Sequence, residues 1–373
     1  MKKTTRTARR QRKRRVAVVT GTRAEYGLLE TCMRAIDAHP SLHLLTFATG
    51  MHLLRRFGHT VRDIQADGFS IDARVRMQRG DDSPTDQAEG LSRGVAGLAK
   101  AYEAHGVDVV LVLGDRIEAL AATTAALTTG RPVAHLHGGD VAQGDFDERI
   151  RCAISQIATL HLPASKAAAK RLRSMGIDPG AIEIVGAPGL DRLIQLAAAH
   201  RSTKRSSKAL VVYHAFGRSP EREGRMLTRI VRAVRQHGLQ PHVIYPNTDR
   251  GHSGVIAAIE SLSKRMPELT VYRSLPRDSY LKLLVEADVM IGNSSSGVIE
   301  APAAGTPSIN VGLRQAGREA GGASLLGCGE SAAEIDAALA QALSRRRSIG
   351  RRRVYGDGRA GERVASVLST FAL

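Results

Sequence analysis

Short apolar runs at 16–20, 44–48, 107–113, 132–135 and 160–163 alternate along the chain with longer stretches rich in Ala, Leu and Arg. Short continuous apolar runs bounded by turn residues predict strands, and the stretches between them predict helices, so the alternation is that of βαβ units. A polar, basic interruption at 198–208 is followed by a second series, with strands expected at 209–213, 243–245, 269–272, 289–292 and 308–311. The expected fold is α/β, with two doubly wound Rossmann-like domains facing a cleft. The expected division is a domain at 16–197, a linker at 198–208, a domain at 209–355 and a C-terminal helix at 356–373. A chain of 373 residues suits two such domains. Ligands of these sheets bind beyond the carboxyl ends of the strands, which makes the cleft between the halves the expected site.

The run Asn293-Ser-Ser-Ser-Gly-Val-Ile-Glu300 places a hydroxyl-rich turn between the strand at 289–292 and a following helix. Free N–H groups and the dipole at a helix start favour a phosphate. Asn293, Ser294 and Ser295 can add polar partners there, and Gly297 allows close approach of the backbone. Glu300, one turn further in, can accept from a ribose hydroxyl, so a nucleotide is the natural ligand. An ordinary N-capping turn is the competing reading.

Composition narrows the partners. The formal charge is +18, but residues 1–15 hold nine of the Lys and Arg residues, half of that excess. This segment is expected to be a disordered tail whose removal leaves stability nearly unchanged. With aromatic residues at only 3%, no stacking platform is visible, and no specific nucleic-acid partner is expected. No apolar run approaches about 18 residues and the N-terminus lacks a signal-peptide core, so a cytoplasmic protein with no membrane partner is expected. Cys32, Cys152 and Cys328 show no C-x-x-C spacing and are expected to be free thiols. No metal is assigned, since the thirteen His residues lack H-E-x-x-H spacing, and no cofactor is expected. Neither a G-x-x-x-x-G-K-[ST] loop nor a G-x-G-x-x-G after the first strand is present, which argues against P-loop and dinucleotide chemistry.

Several motifs occur in order through both halves: Val19-Thr-Gly-Thr-Arg-Ala-Glu-Tyr-Gly-Leu-Leu29, Gly114-Asp-Arg-Ile-Glu-Ala-Leu120, His135-Leu-His-Gly-Gly-Asp140, Phe146-Asp-Glu148, Val185-Gly-Ala-Pro-Gly-Leu-Asp191, Tyr245-Pro-Asn247 and Gly292-Asn-Ser-Ser-Ser-Gly297. Together they resemble the UDP-N-acetylglucosamine 2-epimerases, in particular the hydrolysing branch of sialic and legionaminic acid synthesis. The resemblance implies a glycosyltransferase-B-like fold, with the nucleotide held mostly by the second domain, and a homodimer. The implied reaction removes the C2 proton of the sugar, expels the nucleoside diphosphate to leave a glycal, and adds water to give the free 2-epimer.

Such chemistry needs a base near C2 and positive charge or a proton at the departing diphosphate. The resemblance makes Asp115 catalytic and places Arg116 near the substrate; an N-capping Asp is the bland alternative. Asp147 is implied as a second catalytic carboxylate. Relatives often carry Glu where this chain has His137, so the proton role is open between Asp140 and His137. His135 is read as a core residue. His214 ends a strand and is expected to bridge a phosphate or carry a proton near neutral pH. Its usual Pro neighbour is replaced by Ala215, which should leave the 215–222 loop less fixed and free to shape substrate choice. Arg23 and Arg318 resemble the two arginines that reach the diphosphate. Two other activities stay in view: the reversible, non-hydrolysing epimerase, and a sugar-nucleotide binding protein of impaired catalysis, suggested by His137, Cys152 and Ala215.

Overall fold

The computed structural model describes residues 12–79, 83–141, 147–199, 206–247, 249–320, 324–345 and 353–372. Among these, twelve strands form two six-stranded parallel sheets. The first contains β1 (Arg14–Thr20), β2 (Leu42–Thr49), β3 (Ala73–Val75), β4 (Val109–Leu113), β5 (Val133–Leu136) and β6 (Leu160–Leu162). The second contains β7 (Lys208–Val212), β8 (Gln240–Ile244), β9 (Thr270–Tyr272), β10 (Val289–Gly292), β11 (Ser308–Val311) and β12 (Leu325–Cys328). The orders are β3-β2-β1-β4-β5-β6 and β12-β11-β10-β7-β8-β9, the same winding in both halves. Strand order therefore reverses between β1 and β4, and again between β7 and β10.

The strands read as unbroken apolar runs because each sheet is covered on both faces. In β1, Val16 and Val18 join one hydrophobic cluster while Ala17 and Val19 join the other. In β7, Ala209 and Val211 face one side and Leu210 and Val212 the other. The Arg23–Ala38 helix shows the complementary logic. Tyr26, Leu29, Met33 and Ile36 recur at helical spacing and are buried. Thr22 accepts from the Glu25 N–H at 3.2 Å, while the Glu25 carboxylate accepts from the Gly21 N–H at 2.6 Å, so the helix start is closed from both directions.

Two expected boundaries move. The segment 1–15 is not wholly outside the fold, because Arg14 and Arg15 open β1. The Arg14 guanidinium donates to the Phe371 carbonyl at 2.9 Å, and Arg15 bonds the Asp108 carboxylate and the His105 carbonyl, both at 2.7 Å. Residues 1–11 lie outside the described residues. Deleting the chain through Arg15 is thus expected to lower the melting temperature by several degrees, checked by a thermal melt; an unchanged melt would show that these anchors contribute nothing. The linker expected at 198–208 is shorter: the Gly189–Ala199 helix ends it on one side, Lys208 already lies in β7, and 200–205 lie outside the described residues.

The C-terminal helix, Ala360–Thr370, returns to the first half. Val364 and Leu368 share a cluster with Val16 and Val18, and the Asp191 carboxylate accepts from the N–H groups of Ala360 and Gly361 at 3.0 and 2.8 Å. Cys32, Cys152 and Cys328 are all free, and no described helix is long and apolar enough to cross a membrane.

Candidate active site

All four loops at the two strand-order reversals open on one cavity of about 1010 Å³ between the halves. Arg23 lines it after β1, Asp115 after β4, His214 after β7, and Ser294 and Ser295 after β10. His137, which follows β5, Arg151, Glu300 and Arg318 complete the charged and polar lining used below. Arg116, Asp140, Asp147, Asn293 and Gly297 do not line it; they stand behind the residues that do.

Asp115 is not a helix cap. The N-cap position of the Ile117–Thr128 helix is Arg116, and no side chain caps it. The Asp115 carboxylate instead pairs with Arg151, a guanidinium buried in the Asp147–Ile157 helix that also donates to the His137 carbonyl at 3.1 Å. His137 is a non-glycine residue at φ 60°, and its Nδ1 lies 2.9 Å from Asp140 Oδ2. Nε2 is the ring nitrogen left for another partner. Burial alone would raise Asp140, yet Arg318 and His137 overcome it and hold the carboxyl well below the usual range. His135 is a core residue: Nε2 donates to the Gly114 carbonyl at 2.7 Å, Nδ1 meets the Ser155 hydroxyl at 3.2 Å, and burial pushes its pKa down to about 3.

Asp147 and Arg116 belong to a cross-cleft cluster. Arg116 pairs with Glu118 at 3.2 Å and reaches Asp249 of the second half at 3.2 Å. Arg314, from the loop after β11, pairs with Asp249 at 3.1 Å and with Asp147 at 3.4 Å. Burial, then the nearby Asp115 and Asp249 charges, pushes the Asp147 carboxyl up to about 7 against Arg314 and Arg116. A third link, Arg318 to Asp140 at 3.0 Å, joins the halves further along.

In the second half, Ser294 accepts from the Ser296 N–H and caps the Ser295–Ala304 helix, whose start faces the cavity. Gly292 sits at φ 146°, and a Cβ there would lie 1.9 Å from the Val212 carbonyl oxygen, so only glycine lets β10 turn into this helix beside β7. Asn293 braces the neighbouring strand end. Its amide exchanges two hydrogen bonds with the His214 backbone, at 2.8 and 2.9 Å, which fixes that histidine. Gly297 likewise gives its carbonyl to Ser308 at 2.6 Å. Glu300 is paired with Arg277, which donates to the Gly189 carbonyl at 2.9 Å.

His214 is held away from its charged form near neutral pH. Burial, followed by Arg314, pushes its pKa down to about 3, and Nδ1 accepts from the Asn247 N–H at 3.2 Å. The neutral ring thus presents Nε2–H to the cavity as a donor. The loop after it is also not loosened by Ala215. Glu223, fully buried, accepts from the Phe216 N–H at 2.7 Å, the Arg218 N–H at 3.3 Å and the Tyr213 hydroxyl at 2.6 Å. A carboxylate does there what a proline ring would do, and residues 215–222 stay outside the cavity lining.

Sequence reasoning missed Arg151, Asp249, Arg277 and Arg314 as site residues. One local signal existed: Arg151 stands four residues after Asp147, on the same helix face. Cys152 donates toward Glu148 at 3.7 Å, and burial together with that carboxylate raises its thiol pKa, which removes it as a nucleophile. No group of side chains among the described residues is arranged to hold a metal ion.

A family model described as UDP-N-acetylglucosamine 2-epimerase matches residues 34–369. A hydrolysing UDP-N,N'-diacetylbacillosamine 2-epimerase of Legionella pneumophila is 33% identical over 368 residues, covering 96% of this chain and 97% of that protein. A hydrolysing GDP/UDP-N,N'-diacetylbacillosamine 2-epimerase of Campylobacter jejuni is 29% identical, covering 82% of each. The fold is shared with a UDP-GlcNAc 2-epimerase from Neisseria meningitidis solved with UDP-GlcNAc, at a TM-score of 0.76 and 16% identity, over 95% of this chain and 99% of that one.

Proposed function

The chain belongs to the UDP-N-acetylglucosamine 2-epimerase family, and from that we propose that it is a hydrolysing 2-epimerase of a UDP-linked 2-acetamido sugar. It releases the free 2-epimer and UDP through a glycal. The observation that carries this reading is the convergence of Asp115 and His137 on one cavity wall opposite the Ser295 helix start and neutral His214. The first pair suits proton transfer at C2. The second suits a departing diphosphate.

In the first step a base takes the C2 proton, the C1–O bond breaks toward the diphosphate, and a C1=C2 double bond forms. In the second, water oxygen adds to C1 and a proton returns to C2 on the opposite face. Inversion at C2 calls for proton-carrying groups in two places, and Asp115 and His137 come from neighbouring strands β4 and β5. Asp115, held by Arg151, is assigned the C2 proton. His137 exchanges its proton through Nε2, while Asp140, kept ionised by Arg318, orients the ring and stabilises its charged form. Asp147 keeps a proton near neutrality beside Asp115 and acts as a reservoir.

The Ser294–Ser296 turn, His214 Nε2–H, Arg23 and Arg318 take the diphosphate, whose charge the helix dipole favours by about 0.3–1 kcal/mol. Glu300, oriented by Arg277, takes a ribose hydroxyl. UDP-N,N'-diacetylbacillosamine is the first substrate to assign, because the Legionella relative matches nearly end to end; UDP-N-acetylglucosamine is the second. The two hydrolysing relatives favour release of free sugar over the reversible reaction. A place in legionaminic or sialic acid synthesis, a homodimer and a cytoplasmic location follow from the same reading.

Turnover in D₂O tests it. One solvent deuterium is expected at C2 of the free product sugar, with UDP released and the C1–O bond broken, read by NMR. Deuterium in intact sugar nucleotide would instead mean reversible epimerisation, and an unlabelled, unepimerised sugar would overturn the reading.

A further inference from the structure

Asp249 lies in the loop after β8 and belongs to the second half, yet its carboxylate is bound into the first. Oδ1 accepts from Arg116 at 3.2 Å, and Oδ2 accepts from Arg314 at 3.1 Å and from the Asn247 amide at 2.7 Å. Its backbone is fixed as well: the N–H donates to Asn247 Oδ1 at 3.2 Å and the carbonyl accepts from His252 at 3.0 Å. A side chain clamped this thoroughly, at the seam of the cleft and off the cavity wall, holds neighbours in place.

Those neighbours all face Asp147. From the loop after β4 come Asp115 and Arg116, from its own helix Arg151, from the loop after β11 Arg314, and from the loop after β8 Asp249 itself; His214, after β7, stands next to Asp249. Without Asp249, two cations would turn toward Asp147 with one fewer carboxylate to share them. With it, both are partly neutralised and a second negative charge lies near. Burial opposes ionisation of Asp249, but Arg116 and Arg314 outweigh it, so that negative charge is present throughout the neutral range.

We infer that Asp249 is a positioning residue: carried in from the second half, it fixes Arg116 and Arg314 across the cleft and sets a second carboxylate beside Asp147. The charges around Asp147 are thereby tied to the two halves being together, since neither the 3.2 Å Arg116–Asp249 contact nor the 3.4 Å Arg314–Asp147 contact exists within one half. The kinetic consequence rests on the epimerase reading; the titration consequence does not.

Asp249→Asn is expected to move the alkaline limb of the kcat against pH profile down by about one unit, because removing a neighbouring like charge lowers the pKa of Asp147. Asp249→Glu, which keeps the charge, should leave the limb where the parent enzyme has it. A uniform drop in kcat with an unmoved limb in Asp249→Asn would reduce Asp249 to a packing role and overturn the inference. Carboxyl ¹³C NMR of Asp-labelled protein, with the Asp147 signal identified by its loss in Asp147→Asn, reads the same equilibrium without turnover. A lower midpoint in Asp249→Asn supports the inference and an unchanged one sinks it, even if no sugar nucleotide is turned over and the epimerase reading fails. Should Asp249→Asn not fold, Asp249→Ser, which also removes the charge in a smaller side chain, is expected to lower the midpoint in the same direction.

Discussion

Asp115→Asn is expected to lose at least about 10²-fold in kcat while still binding UDP. The carboxylate stands at the carboxyl end of β4, at the strand-order reversal, and lines the cavity. Helix capping does not consume it, because Arg116 takes that position. The amide keeps the shape and removes the capacity to take a proton. Groups assigned to the diphosphate lie in other loops, on Ser294, Ser295 and His214, so the UDP dissociation constant should stay within a few-fold of the parent. Arg151, only 2% exposed, would face an amide in place of a charge, a loss of about 1–3 kcal/mol. A melting curve therefore belongs beside the kinetics. Turnover close to the parent rate in a folded Asp115→Asn protein would remove Asp115 from the mechanism.

His137→Gln carries the second large effect, again a loss of about 10²-fold or more in kcat. A non-glycine residue at φ 60° is an uncommon backbone state that costs on the order of 1–3 kcal/mol when held at a functional site. That conformation lets one ring meet Asp140 through Nδ1 and the cavity at the same time. Asp140, drawn well below the carboxylate range by Arg318 and His137 against its burial, has no proton to give at neutral pH. Glutamine preserves bulk and hydrogen bonding but cannot exchange a proton. Asp140→Asn should also slow turnover, by leaving the ring without its anionic partner and Arg318 without its cross-cleft one. A His137→Gln protein with parent-like turnover would return the proton role to another group.

The sequence by itself determined the winding of both halves, because strands buried on two faces must be apolar throughout: the runs that become β1, β4, β7 and β10 could be read directly. The edge strands β3 and β12 were not legible in the same way, since Ala73–Val75 is three residues long with an exposed arginine and Leu325–Cys328 has no fully buried residue. The placement of Asp115, His137 and His214 on the cavity was also legible, because in a doubly wound sheet the end of a strand fixes the place of the next side chain. Only the tertiary structure decided which groups share a charge. Arg116 meets Asp249 across 133 positions of sequence and Arg318 meets Asp140 across 178. It also showed that Asn293 bonds the His214 backbone, that burial and Arg314 push the His214 pKa down, and that Glu223 holds the 216–218 loop. Hydrophobic patterning is local and repeats along the chain, whereas ion pairing and protonation depend on which side chains the docking of two separately wound halves brings within a few ångströms.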